Sequence, residues 1–181
     1  MKSQTRVKAT GEVFTPSPLV EEMLSKLPDD AWNQGKMFLD NSCGNGQFLA
    51  KVYQIKKELG DPNPLASIYG VDLMADNVCD TIARLAYLEY GIEDMWDESG
   101  VPSPDINHPG HSDDHTYDWL IANLPYERKY LGITVRFKGL NPGHAAIFEY
   151  QFDGEDDWLA AWNIVCYDAL KYDYGFEQEI K

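Results

Sequence analysis

Cysteine, positive charge and long apolar runs are all scarce in this chain of 181 residues. The three cysteines, Cys43, Cys79 and Cys166, are far apart and form no CxxC pair. That excludes a disulfide framework and a structural zinc site, and it fits a reducing compartment. No apolar run reaches the length of a membrane span, and the polar, basic N-terminus carries no hydrophobic signal segment. A soluble cytoplasmic protein with no membrane partner is the expectation. Against 30 Asp and Glu stand 15 Lys and Arg, a net charge of −15. No basic residue lies between Arg84 and Arg128. Proteins that grip nucleic acid neutralise its phosphates with Lys and Arg, so this chain alone is expected to hold nucleic acid poorly. Any such contact needs a partner subunit, an oligomer, or a local basic face such as Lys2, Arg6 and Lys8.

One cluster of metal-ligand types occurs, His108, His111 and His115 beside Asp113 and Asp114. It shares its stretch with Pro102, Pro104, Pro109 and Gly110. A metal needs ligands held at fixed geometry, so a solvated loop is expected there and no metal site.

What is present is enough for a core: 44% hydrophobic residues and 13% aromatics over a length that suits one domain. A single domain over 1–181 is expected, with residues 1–10 as a flexible arm. Ser17 is read as the cap of a helix with Pro18 at its first position, carrying Leu19, Val20, Met23, Leu24 and Leu27 at helical spacing until Pro28. Residues 36–40 read as a buried strand, Asn41 to Gly46 as a turn, and Gln47 to Leu59 as a helix. Residues 67–72 form a second strand, and a helix beginning at Asp76 or Asn77 and ending near Gly91 turns Val78, Ile82, Leu85 and Leu88 inward. Strand and helix in alternation are the grammar of a parallel sheet with crossover helices. Residues 92–160 break the alternation and read as an insertion: an acidic loop, a short strand at Trp119–Ala122, and a hairpin pairing Ile133–Phe137 with Ala146–Phe152 around Asn141-Pro142-Gly143. Asp156 to Trp162 suggests one or two helical turns, and Ile164–Cys166 a last strand before Asp168.

The chemistry concentrates at two strand ends. In Phe38-Leu39-Asp40-Asn41-Ser42-Cys43-Gly44-Asn45-Gly46-Gln47-Phe48-Leu49, an acid closes a strand, two glycines follow, and a helix starts. Glycines let a ligand approach the backbone, and a helix start offers free N–H groups to a carboxylate. The third glycine of a dinucleotide fingerprint is replaced by Leu49. Asp72 ends the next strand. An acid there can accept hydrogen bonds from both hydroxyls of a ribose, or it can cap the following helix.

Three segments in order, Gly11-Glu12-Val13-Phe14-Thr15-Pro16, the Asp40–Gly46 turn, and Tyr69-Gly70-Val71-Asp72, resemble motifs X, I and II of N6-adenine DNA methyltransferases. The likeness covers about Lys8 to Arg84, with Asn41 where the family usually has proline. It implies a Rossmann-like α/β fold: a three-layer class I methyltransferase domain with a mostly parallel sheet, and S-adenosyl-L-methionine (SAM) as cofactor. It further implies that Phe14, Thr15 and Pro16 lie over the methionine end, that Asp40, Cys43, Gly44 and Gly46 line the amino-acid part, and that Asp72 and Leu73 meet the ribose. Asn163 to Leu170 is similar to the next motif, whose acid would contact the adenine amine; that role falls on Asp168. The chain is also similar to short phage-type DNA methylases, which implies the host cytoplasm, and nothing after Lys181 is expected to supply a further motif.

The family's catalytic motif, Asn/Asp-Pro-Pro-Tyr/Phe, has one counterpart, Asn123-Leu124-Pro125-Tyr126. Asn123, Pro125 and Tyr126 are therefore the candidate catalytic set. This tetrapeptide precedes Asp168, the reverse of the family order. Either the tetrapeptide is catalytic and the tail is something else, or the tail is the adenine strand and the tetrapeptide sits in an inserted loop; the longer tail match favours the second. The resemblance implies a SAM-dependent methyltransferase acting on adenine N6 of DNA. The alternatives are a truncated, inactive module that binds SAM or a partner, and an acidic decoy of nucleic acid.

Overall fold

The computed structural model describes residues 13–90, 127–130, 132–141, 144–174 and 176. The first helix, α1 (Ser17–Leu24), starts one residue earlier than its sequence suggests. Pro16 is its cap, and the Pro16 carbonyl accepts from Leu19 N–H (2.9 Å) and Val20 N–H (3.1 Å). Ser17 is thus inside the helix and makes no cap, while Pro18 occupies the first turn, where an amide has no helical partner to lose. α1 also stops before Pro28, at Leu24, and a short turn carries the chain to Leu27.

Strand β1 (Phe38–Asp40) leads through the glycine turn to α2 (Gln47–Glu58), then to β2 (Ile68–Asp72) and α3 (Ala75–Tyr90). The antiparallel strands β3 (Glu127–Tyr130), β4 (Ile133–Leu140) and β5 (Ala146–Phe152) follow, and β6 (Leu159–Cys166) closes the order. All six strands form one mixed sheet, β1-β2-β6-β5-β4-β3. β1 and β6 flank β2 in parallel, with Asp40 opposite Gly70 and Asp72 opposite Cys166. β5, β4 and β3 continue the sheet antiparallel, so four of the six strands share one direction. The hairpin expected around residues 133–152 is present and joins the main sheet through β5 and β6.

Two expectations fail here. Residues 159–162 are strand rather than helical turns, because Leu159, Ala160 and Ala161 pair with Tyr150, Glu149 and Phe148. Small residues there leave room for the large β5 side chains, and pairing overrides the helical preference of alanine. β1 is not a fully buried strand. Among the described residues it has a neighbour on one side only, and Leu39 is 51% exposed.

Side chains alternate across the sheet with period two. Ile68 and Ile164 join residues of all three helices in one core, with Val20, Leu49, Val52, Val78 and Ile82. Val71 and Val165 point the other way, into a cluster with Ile147, Tyr172 and Phe176. The described helices thus pack through one cluster, and the C-terminal aromatics cover the opposite face. α3 is buried along nearly its whole length, not on one face, so its polar Asn77 and Thr81 are enclosed with it, as are Asp76, Asp80 and Arg84. Buried polar groups need partners; theirs lie at the turns described below. No described helix is long and apolar enough to cross a membrane. The N-terminal arm, Gly11 and Glu12, the histidine cluster, Trp119–Ala122, Asn123–Tyr126 and Pro142–Gly143 lie outside the described residues.

Candidate functional site

The turns after β1 and β2 are stitched together by hydrogen bonds. Cys43 N–H donates to the Val71 carbonyl (3.0 Å), which docks the first turn on β2. Gly44 N–H donates to Asp72 Oδ2 (2.8 Å). Asp72 Oδ1 accepts from Met74 N–H (2.8 Å) and from Asn77 Nδ2 (3.1 Å). Four residues on, Thr81 donates to the Gly44 carbonyl (3.0 Å). Residues four apart share a helix face, so the enclosed polar pair of α3 grips both turns at once. Asp72 caps the start of α3 and also borders the glycine turn.

The two glycines serve different ends. Gly44 has φ +53°, and a Cβ there would stand 3.2 Å from Phe14 Cε1. Phe14 therefore packs directly over the turn. Gly46 has φ +79° and starts α2, and a Cβ there would collide with Thr81 Cγ2 at 2.8 Å. The Gly46 requirement comes from helix packing.

A cavity of about 430 Å³ opens between the two strand ends. Sites for small molecules span roughly 300–1,000 Å³. Of the residues singled out in the sequence, Phe14, Thr15, Asp40, Cys43, Gly44, Asp72 and Leu73 line it. Pro16 and Gly46 are not in its wall: Pro16 is occupied as the cap of α1 and Gly46 as the start of α2. Asp168 is not in the wall either. Its carboxylate accepts from Leu170 N–H (3.0 Å) and pairs with Lys171 Nζ (3.1 Å), and these partners hold its pKa below the ordinary carboxylate value. Asn123, Pro125 and Tyr126 lie outside the described residues. The wall also includes Gln47, Phe48, Met74 and Asn77, which sequence reasoning passed over as ordinary helix positions. The i, i+4 spacing of Asn77 and Thr81, one helical face apart from the apolar stripe, was the available signal.

The electrostatics favour a cationic guest. Burial raises the pKa of Asp40, opposed only in part by the hydrogen bond from Ser42 N–H (3.1 Å). Among the described residues of the wall none is Lys, Arg or His. At the same mouth, α2 begins with no side-chain cap, so its first N–H groups are available to an anion. Burial, with the charge of Asp72 adding to it, pushes the Cys43 and Cys166 thiols well up. Both stay neutral and are poor nucleophiles. The described wall thus offers carboxylates and backbone N–H donors and no cationic side chain.

A family model described as N-6 DNA Methylase matches residues 1–149. No curated protein and no solved structure matches the chain.

Proposed function

The chain belongs to the N-6 DNA methylase family, which carries a DNA methyltransferase function, and from that premise we propose that the cavity between β1 and β2 binds SAM for transfer to adenine N6. The observation that carries this reading is a nucleoside-sized cavity flanked by Asp40 and Asp72, with no basic residue among its described wall. A dinucleotide or nucleoside triphosphate brings phosphates and wants cations. SAM brings an ammonium, a sulfonium and one carboxylate.

The residues fit that ligand piece by piece. The free N–H groups at the start of α2 suit the carboxylate. Asp40 suits the positive charges, and a bound cation would return its pKa toward the ordinary range. Asp72, fixed by three N–H donors, presents its carboxylate toward the ribose hydroxyls. Phe14 and Thr15 cover the methionine end beside Gly44. β6 lies beside β2 in parallel, and Tyr167 N–H donates to the Asp72 carbonyl (3.0 Å). This supports reading the tail as the third strand of a Rossmann-like, class I arrangement, with Asp168 beyond its end as a further candidate contact to the adenine ring.

SAM supplies the methyl group as a sulfonium substituent. The chain's own task is to orient the amine and sharpen its lone pair. An exocyclic amine is a weak nucleophile. The Asn123 amide oxygen and the Pro125 carbonyl accept hydrogen bonds from its N–H groups, Tyr126 stacks on the extruded base, and the proton released on transfer passes to solvent. With its net charge of −15 the chain relies on a partner subunit or oligomer to hold DNA. The reading as a truncated binding module has no structural observation in its favour.

The test is methyl transfer from labelled SAM to adenine-containing DNA by the wild type and by Asn123→Ala, with SAM affinity measured in parallel. Transfer should vanish in the variant while SAM still binds. Unchanged transfer would remove Asn123 from the reaction.

A further inference from the structure

Thr81 stands near the middle of α3, is wholly buried and is not part of the cavity wall. A threonine inside a helix commonly turns its hydroxyl back to a carbonyl of its own helix, one turn earlier. Here the hydroxyl donates across to the Gly44 carbonyl at 3.0 Å. Cys43 Sγ, at 3.9 Å, is the poorer acceptor for the same proton. The methyl group meets Gly46, where a Cβ would stand 2.8 Å from Thr81 Cγ2. One side chain thus touches both glycines of the turn. Gly44 has no side chain to fix its left-handed backbone, φ +53°. Outside bonds hold it: its N–H donates to Asp72 Oδ2 (2.8 Å), and its carbonyl accepts from Thr81. The other oxygen of Asp72 accepts from Asn77, one turn earlier on α3. Both oxygens of this carboxylate are therefore set from one face of α3, Oδ1 directly by Asn77 and Oδ2 through Gly44 by Thr81.

We infer that Thr81 is a positioning residue for the adenosyl ligand: without touching it, Thr81 holds the Gly44 peptide in the orientation that aims Asp72 at the ribose. This role presupposes the SAM reading above and adds a residue outside the cavity to it. The reason lies in what the Thr81 bond restrains. A glycine peptide released at its carbonyl can rotate, and rotation swings the Gly44 N–H away from Asp72 Oδ2. Asp72 then keeps only the donors on Oδ1, and its carboxylate is free to turn. A carboxylate that must be ordered when the ligand arrives costs affinity; one already fixed does not. The hydroxyl is what this role needs. A residue that merely filled the core would need only volume, and valine would serve as well as threonine.

The experiment is calorimetric titration of the full chain with SAM and with 5′-methylthioadenosine, which keeps the adenosine and lacks the amino-acid end. Thermal unfolding and amide exchange of the ligand-free protein accompany it. Thr81→Val keeps the shape and removes the donor, whereas Thr81→Ser keeps the donor and removes the methyl group. The valine variant should bind both ligands roughly three- to tenfold more weakly, the scale of one net hydrogen bond. Its Gly44 amide should exchange faster while the α3 amides keep their protection. The serine variant should melt earlier, for want of a buried methyl group, yet bind both ligands as the wild type does. If the valine variant does not fold, Thr81→Cys, with only a weak donor, is read in the same way. Wild-type affinity in the valine variant, or an equal loss in the serine variant, would make Thr81 a packing residue only. A loss confined to SAM would also overturn the inference, because the ribose is common to both ligands. If the wild type binds neither ligand, the SAM reading fails, and the role of Thr81 fails with it.

Discussion

Both halves of the sheet pair charges, among them Lys56 with Asp61 (3.1 Å) in the parallel half, but they differ at the strand ends. In the antiparallel half, charges are matched within the protein. Arg136 meets Glu149 at 2.6 Å and lies 3.5 Å over the Trp158 ring, and Lys129 meets Asp153 at 2.8 Å. In the parallel half, Asp40 sits at a strand end with backbone Ser42 as its hydrogen-bond donor, and α2 starts without a side-chain cap. A region that closes its own polar ledger has no need of a ligand. A region that leaves backbone donors and an acid around one cavity is where we propose that a guest sits. The β3–β5 extension pairs its charges internally, whereas the recognition we propose belongs to the turns after β1 and β2.

The sharpest way to break this contrast is at Gly46. Gly46→Val places a side chain at φ +79° and into Thr81, and should destabilise the fold by about 2–5 kcal/mol through strain and overpacking. Denaturant unfolding measures it; a loss under about 0.5 kcal/mol would mean that the α2–α3 contact yields freely. Ile164→Ala, in the strand both halves share, should cost about 2–4 kcal/mol from lost burial and a residual cavity. Its effect on SAM affinity should be small, because Ile164 faces the helix core and not the cavity wall.

Asp40 gives a pH prediction with a definite sign. Its pKa is raised in the folded chain, so ionising it costs stability as pH rises from the ordinary carboxylate pKa through the folded one. Asp40→Asn should therefore raise the melting temperature of the ligand-free protein at neutral pH, and leave it unchanged below the ordinary carboxylate range. A cationic ligand reverses the preference, so SAM affinity should strengthen as pH rises through the same window, and Asp40→Asn should flatten that slope. Affinity independent of pH in the wild type would separate Asp40 from the ligand. The smallest effect belongs to the matched half: Glu149→Ala should cost only about 0.2–1 kcal/mol, since Arg136 remains partly in water, with SAM affinity unmoved.

The sequence exposed the parts of this fold that depend on local pattern. The alternation β1–α2–β2–α3, the hairpin of β4 and β5, and the Ile164–Cys166 core of β6 all follow from periodicity and turn residues. The strand-end acids and Gly44 were singled out as well, and they border one cavity. What stayed hidden depends on distant neighbours. Leu159 to Ala161 becomes strand only because Phe148 and Tyr150 lie alongside. Pro16 rather than Ser17 caps α1, since a proline carbonyl accepts the helical bonds as well as any other. Gln47 and Asn77 look like solvent-facing helix residues until the two turns close over them. Asp168 illustrates the reverse: its motif is suggestive, yet its carboxylate is taken up by Leu170 and Lys171.

The most direct measurement is titration of SAM into the full chain and into Asp72→Ala. One SAM should bind per chain, with a loss of about 1–3 kcal/mol of binding free energy in the variant, the range for an unpaired buried hydrogen-bonding group. No binding by the wild type, or equal affinity in both proteins, would contradict it.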